Sequence, residues 1–298
     1  MTEAAADENS ANPLIPFLLD QRGVRGYIVR LSAGLDAMFG WRHYPPDVAR
    51  LLGQTLAAMP LLGADMQQEA RLNLQFQGKQ ALKLLVAQID QELSLRGMAK
   101  FAPQAAGDFA QMMSGGLLAC LLEPRHGGQS YQAVVEIMGC SLAESLEGYF
   151  RQSEQLPTLV RLAAGTQVLA GILLQRLPEG AGQDESNWTH VQTLFATLGE
   201  EELLSTESLT LLRRLFAEDS VRVFEPREVQ LVCRCNHASI SAMLLSLGEA
   251  ELDEVLREHG KVEVTCEFCG KVYAYDPVQV RELFVAEQKL PDEHVSLN

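Results

Sequence analysis

Four of the six cysteines in this chain fall into two close pairs, Cys233-Arg234-Cys235 and Cys266-Glu267-Phe268-Cys269, with thirty residues between them. No other feature restricts the possible folds as much. Zinc has no geometric preference of its own and accepts four thiolates in a tetrahedron, so two pairs brought together by a folded connection can supply a complete shell. The second pair has the usual zinc-knuckle spacing, and Gly270 suits the tight backbone that follows it. The first pair is one residue shorter than usual. The expectation is one Zn²⁺ per chain, held by Cys233, Cys235, Cys266 and Cys269 in the reduced protein. Two roles fit that ligand set. One is a purely structural module, folded by its metal because it cannot bury enough core. The other is a redox switch, because zinc keeps thiols ionised and thiolates are what oxidants attack. A disulfide within a C-x-C unit would be strained. In an extended strand, Cα atoms two residues apart lie ~6.6 Å from each other, whereas disulfides prefer about 5.5–6 Å. Strained disulfides tend to be labile.

The charge balance narrows the choice. The chain of 298 residues has a formal charge of −15. By region this is −3 over residues 1–180 (14 basic, 17 acidic), −6 over 181–232 (4 and 10) and −6 over 233–298 (6 and 12). No part is basic, so the cationic footprint that nucleic-acid binding requires is missing. The start of the chain, Met1–Asn12, is acidic and rich in small residues, unlike a signal peptide. No apolar run reaches the ~18–20 residues that span a bilayer. A cytoplasmic protein without nucleic-acid or membrane partners is expected. Cytoplasmic thiols stay reduced, so the cysteines point to metal ligation or redox chemistry rather than a static disulfide framework.

The patterning predicts an α+β fold in three parts: a core domain over 1–180, a helical linker over 181–232 and a small zinc-binding module over 233–298. Residues 1–13 read as a loose tail and Val24–Leu31 as a strand. Pro46 opens a helix with Val48, Leu51, Leu52, Leu56 and Met59 on one face. Leu72, Leu74 and Phe76 alternate with polar residues up to a turn at Gly78, and Leu82, Leu84 and Val86 continue on the partner strand. A second strand pair is expected at Leu117–Leu122 and Tyr131–Ile137. Ser141 and Glu144 form a capping-box signature. Gly180-Ala181-Gly182 marks a boundary. Beyond it come two amphipathic helices, one with Val191, Leu194, Phe195 and Leu198, the other with Leu211, Leu212, Leu215 and Phe216.

Other chemistry is poorly supported. Cys120 and Cys140 stand among apolar residues and read as core thiols. His237, two residues beyond Cys235, reads as a bystander to a shell that four thiolates complete. Gly78-Lys79-Gln80 lacks the remaining parts of a phosphate loop, and neither G-x-S-x-G nor H-E-x-x-H occurs. Ser153-Glu154 has no identifiable histidine partner. No enzyme is predicted.

Several stretches, in order along the chain, resemble the redox-regulated chaperones of the heat-shock protein 33 family. They are Val24-Arg25-Gly26-Tyr27, Tyr44-Pro45 with Leu51-Leu52-Gly53, Gln75-Phe76-Gln77-Gly78, Arg96-Gly97-Met98-Ala99 and Leu173-Leu174-Gln175-Arg176-Leu177-Pro178. The most specific is the decapeptide Tyr149-Phe150-Arg151-Gln152-Ser153-Glu154-Gln155-Leu156-Pro157-Thr158. With the four cysteines, the resemblance runs from about residue 17 to 285. It implies an ATP-independent holdase that is inactive while reduced and zinc-bound. Oxidation with unfolding stress would form disulfides Cys233–Cys235 and Cys266–Cys269, release zinc and unfold module and linker. The protein would then dimerise and bind unfolding clients. Leu194, Phe195, Leu198, Leu212, Leu215 and Phe216 are the client-binding candidates, through their own apolar faces or the surface they cover. One departure is the run Asn236-His237-Ala238-Ser239-Ile240, where the family often carries a charged, Arg-containing stretch; the oxidation threshold is where a difference is expected. The alternative is a regulatory or binding protein with a zinc module indifferent to oxidants.

Overall fold

A computed structural model describes residues 11–66, 69–125, 128–178 and 185–288. The chain forms two compact units, Met1–Val232 and Cys233–Asn298. The larger contains β1 (Pro13–Leu19), β2 (Val24–Leu31), α1 (Leu35–Phe39), α2 (Pro46–Gly63), β3 (Ala70–Gln77), β4 (Leu82–Asp90), β5 (Ser94–Phe101), α3 (Phe109–Met113), β6 (Leu117–Pro124), β7 (Tyr131–Glu136), α4 (Leu142–Tyr149), β8 (Thr158–Ala164) and β9 (Leu169–Arg176). Three helices follow, α5 (Glu185–Ala196), α6 (Glu200–Ser205) and α7 (Ser208–Leu215), then short strands β10 (Val221–Val223), β11 (Arg227–Glu228) and β12 (Gln230–Leu231).

These strands make two sheets. The first runs β10-β1-β2-β9-β8, with β11 also on β1; the second runs β12-β5-β4-β3-β6-β7. Helix α2 lies between them and is buried on nearly every side, Gln54 and Thr55 included. That exceeds the single apolar face expected from its periodicity, and the reason is that both sheets press on it. The expected β3–β4 hairpin is present, with Phe76 opposite Leu85. Its Gly78 N–H bonds the Lys83 carbonyl, so Gly78-Lys79-Gln80 is a hairpin turn.

The first sheet is covered on both faces, and its strands divide their side chains between two cores. Along β2, Tyr27, Val29 and Leu31 face α2, whereas Val24 and Ile28 join a second core on the opposite face. Along β9, Leu169 and Leu173 take the first role, and Ala170, Ile172 and Leu174 the second. A Cβ on Gly26 would fall 2.2 Å from the Phe17 ring, so β1 and β2 approach as they do only because position 26 has no side chain. Asn12, within the expected loose tail, is instead buried. Its Nδ2 donates to the carbonyls of Ala33 and Val229, and its Oδ1 accepts from the amides of Ser32 and Ala33.

The second core is closed by α5–α7, which bring Trp188, Val191, Phe195, Leu198, Leu203, Leu211, Leu212 and Phe216 onto the first sheet. Polar clamps pin this layer. Arg22 Nε donates to Asp219 Oδ1 at 2.7 Å and Nη1 to Asn187 Oδ1 at 2.8 Å; His190 Nε2 lies 3.1 Å from Asp219 Oδ2. Burial raises the Asp219 carboxyl's pKa, but the hydrogen bonds from Arg22 and His190 outweigh it and hold it below the usual range. Arg30 donates to the carbonyls of Leu203, Leu204 and Thr206, satisfying orphan acceptors at the end of α6. Glu207 caps α7 by accepting from the amides of Leu209 and Thr210.

The smaller unit comprises α8 (His237–Leu247), α9 (Glu249–His259), β13 (Val262–Thr265), β14 (Val272–Tyr275) and α10 (Pro277–Gln288). Among the described residues, the buried part of its core cluster is Leu244, Leu252, Val262, Tyr273, Tyr275 and Val280. So small a core rarely holds a domain together without a staple.

Candidate metal centre

Strands β13 and β14 pair antiparallel, with Thr265 opposite Val272, and the turn between them carries Cys266 and Cys269. The Cys266 amide bonds the Lys271 carbonyl at 2.9 Å, and the Gly270 amide bonds the Cys266 carbonyl at 2.8 Å. Gly270 takes φ +73°, a left-handed conformation that a side chain would oppose. The chain is thereby folded back so that both sulfurs point to one side. Cys233 and Cys235 approach from the segment before α8. Asn236 ends that segment with a capping box, its side chain accepting from the Ser239 amide at 2.8 Å while Ser239 Oγ accepts from the Asn236 amide at 3.2 Å.

The four sulfurs converge. All lie within 4.8 Å of one another, with Cys233 Sγ to Cys266 Sγ at 3.7 Å and Cys235 Sγ to Cys269 Sγ at 3.4 Å. A tetrahedron with zinc–sulfur bonds of about 2.3 Å places its sulfurs about 3.8 Å apart. The donor set therefore fits a tetrahedral thiophilic ion. The electrostatics agree. Burial opposes ionisation of Cys235, but Tyr273 and the other three thiols more than offset it and bring Cys235 down to about 7. Burial, with contributions from neighbouring cysteines, raises Cys233 and Cys269. One thiolate is easily accommodated, and further ones meet its negative charge. Four together need a cation among them.

Tyr273 went unnoticed in the sequence. Among the described residues its buried hydroxyl has no oxygen or nitrogen partner, and it lies against Cys235, whose ionised form it favours. His237 stacks edge-on against Tyr273 at 5.0 Å and Tyr275 at 6.0 Å. Cys120 is buried in β6, as expected. Cys140 is exposed, contrary to the expectation of a core thiol, because it falls just before the α4 cap. That cap is half a capping box: Ser141 Oγ accepts from the Glu144 amide, but Glu144 reaches past it to the Cys140 amide. Of the six candidate client-binding residues, Phe195, Leu198, Leu212 and Phe216 are fully buried in the second core, and Leu194 and Leu215 pack partly buried at its border.

The model of the Hsp33 protein family matches residues 12–276. This chain belongs to the Hsp33 family. A 33 kDa chaperonin of Nitrosococcus oceani is 37% identical over 284 residues, covering 95% of this chain and 98% of that protein. The 33 kDa chaperonin of Chromobacterium violaceum is 39% identical over 279 residues, 93% of this chain and 95% of its own. Among solved structures, the Hsp33 homologue from Thermotoga maritima superposes with a TM-score of 0.78 at 21% identity, over 93% of this chain and 99% of that one. The Hsp33 fold thus extends over nearly all of the chain, cysteine module included. Among the described residues, no helix is long and apolar enough to cross a membrane.

Proposed function

We propose that this chain is a redox-gated, ATP-independent holdase of the cytoplasm, held inactive by a Zn²⁺ ion on Cys233, Cys235, Cys266 and Cys269. The observation that carries the reading is the convergence of four thiols at tetrahedral spacing in a unit with so little core of its own. Membership of a family whose curated relatives are named chaperonins supports it. The ion supplies positive charge that keeps the four sulfurs ionised together.

One thiolate attacks peroxide, breaking the O–O bond to give a sulfenic acid and hydroxide; a neighbouring thiol then displaces water from it and closes the disulfide. Two such reactions, giving Cys233–Cys235 and Cys266–Cys269, consume two peroxides and four thiols. Bonded sulfurs lie about 2.05 Å apart, well short of the about 3.8 Å between sulfurs of a zinc tetrahedron, so closing either disulfide breaks up the ligand set. Without the metal, the folding free energy it contributes is lost, about 10–16 kcal/mol in comparable zinc peptides. Only Val232 separates β12, on the edge of the second sheet, from Cys233; in this proposal, unfolding of the module spreads through that connection into the 181–232 segment. Release of α5–α7 uncovers Leu194, Phe195, Leu198, Leu212, Leu215 and Phe216, together with the face of the first sheet beneath them. That apolar surface binds unfolding clients and a second copy of the chain.

The test is light scattering of a denatured client, without nucleotide, in the presence of reduced or peroxide-treated protein. Only the oxidised protein should suppress aggregation, and reductant should reverse the effect. Equal activity in both states would leave the cysteines with a purely structural role. Full oxidative activation after all four are replaced by Ser would move the switch elsewhere.

A further inference from the structure

The decapeptide Tyr149–Thr158 takes no part in the cysteine chemistry, yet it adopts the least ordinary backbone in the larger unit. Where α4 ends, Phe150–Glu154 form a π-helical turn, and Gln155 takes φ +56°, a left-handed conformation uncommon for a residue with a side chain. The Phe150 carbonyl accepts from both the Gln155 and Leu156 amides. Such turns and such residues concentrate at binding sites, where surrounding structure must hold them. This one places Tyr149, Phe150 and Glu154 on the wall of a cavity of about 470 Å³, whose other walls come from the end of α2 and from β2, β3, β6 and β9. The size is that of a small-ligand site.

The polar groups of the cavity are unevenly matched. Arg25 Nη1 pairs with Asp65 at 2.7 Å, and its Nε and Nη2 both donate to Gln175 Oε1, at 3.0 and 2.8 Å. Asp65 also accepts from the Tyr27 hydroxyl. This end is internally neutral and its donors are in use. At the other end, the Glu154 carboxylate accepts only from the Tyr149 hydroxyl, at 3.0 Å, and forms no ion pair among the described residues. Burial, with the adjacent thiol of Cys120, keeps Tyr149 protonated and a donor. The lining therefore carries one unmatched negative charge. Glu154 is itself exposed to solvent and lines a cavity whose remaining apolar surface is largely aliphatic, with the rings of Tyr149, Phe150 and the exposed Tyr131 beside it. An aromatic wall and one free carboxylate are what an organic cation requires.

We propose that this cavity binds a monovalent ammonium group carried on an apolar body, the cation at Glu154 and the apolar part against Leu72 and Leu173. A free amine and a lysine beside an apolar residue in a polypeptide both present such a group. The site does not depend on zinc or on the redox reading.

The experiment titrates the reduced full-length protein calorimetrically with 2-phenylethylammonium, with N-acetyl-Phe-Lys-amide and with 3-phenylpropionate, the carboxylate counterpart of the first. At least one ammonium probe should saturate a single site, and the carboxylate should not bind. Tighter binding of the peptide identifies a polypeptide source; tighter binding of the simple amine identifies a small molecule. Glu154→Gln retains an acceptor for Tyr149 and removes the charge, so it should weaken binding by about tenfold or more. A second readout needs no variant. The bound probe should slow alkylation of Cys120, which lines the cavity, and leave exposed Cys140 unaffected. The proposal is overturned if neither ammonium probe saturates at millimolar concentration, if 3-phenylpropionate binds as well, or if Cys120 is not protected.

Discussion

Asp219 is the residue whose removal should most directly loosen α5–α7 while leaving the metal ligands untouched. Its side chain is 1% exposed, with one oxygen on Arg22 and the other on His190, which are 27% and 31% exposed. Asp219→Ala deletes both contacts. Breaking a fully buried pair costs about 3–5 kcal/mol, and an exposed pair contributes about 0–1 kcal/mol. Here the carboxylate is buried, its partners can reach water, and Arg22 keeps Asn187. A loss of about 2–3 kcal/mol is expected, between those limits. At about 1.4 kcal/mol per factor of ten, the open population of the helical layer rises roughly 30- to 150-fold. Amide hydrogen exchange reads this directly. Protection of Val191, Leu211 and Leu212 should fall by that factor, while Leu74 and Ala87, paired between β3 and β4, change little. If the helical amides exchange at the wild-type rate, Asp219 is not a clamp. If all amides lose protection equally, the layer does not open on its own.

Three further outcomes follow from the same contacts. Asp219 ionises at lower pH when folded than when unfolded, so its stabilisation is complete above the unfolded carboxyl's pKa of about 3.9 and is lost as pH falls through the depressed folded value; the acid limb of helix protection should flatten in Asp219→Asn. Cys266→Ser should abolish stoichiometric zinc binding by metal analysis and erase exchange protection in β13 and β14, with β3 and β4 of the second sheet unaffected; retained zinc would contradict the four-thiolate site. Gly26→Val should lower the urea midpoint by the equivalent of about 3 kcal/mol, because the new Cβ meets the Phe17 ring, and an unchanged midpoint would show that β1 can shift away.

The two kinds of information divide according to the range of the interactions behind them. Cysteine spacing, the β3–β4 hairpin, Pro46 at the head of α2 and Ser141 at the head of α4 are set by residues a few positions apart, and all were legible in the chain itself. Strands β1, β8 and β9 were not. Each belongs to a sheet covered on both faces, where apolar residues fill both sides without the alternation that marks a half-buried strand, and of that sheet's long strands β2 alone was legible. The burial of α2 on all sides likewise depends on two sheets assembled from distant segments. The sequence alone also predicted two amphipathic helices in an acidic segment, α5 and α7, but read Glu200-Glu201-Glu202 as the connection between them, where the structure forms α6. Only the tertiary structure decided that their apolar faces meet Val24, Ile28, Ile172 and Leu174, and that Arg22 reaches 197 residues along the chain to Asp219. Long-range pairings of this kind leave no periodic trace, because neither partner's neighbours need to change for the contact to form. The cysteines were recognisable as ligands by spacing. That their sulfurs meet, with Tyr273 against Cys235, required the β13–β14 hairpin to fold back toward the start of α8.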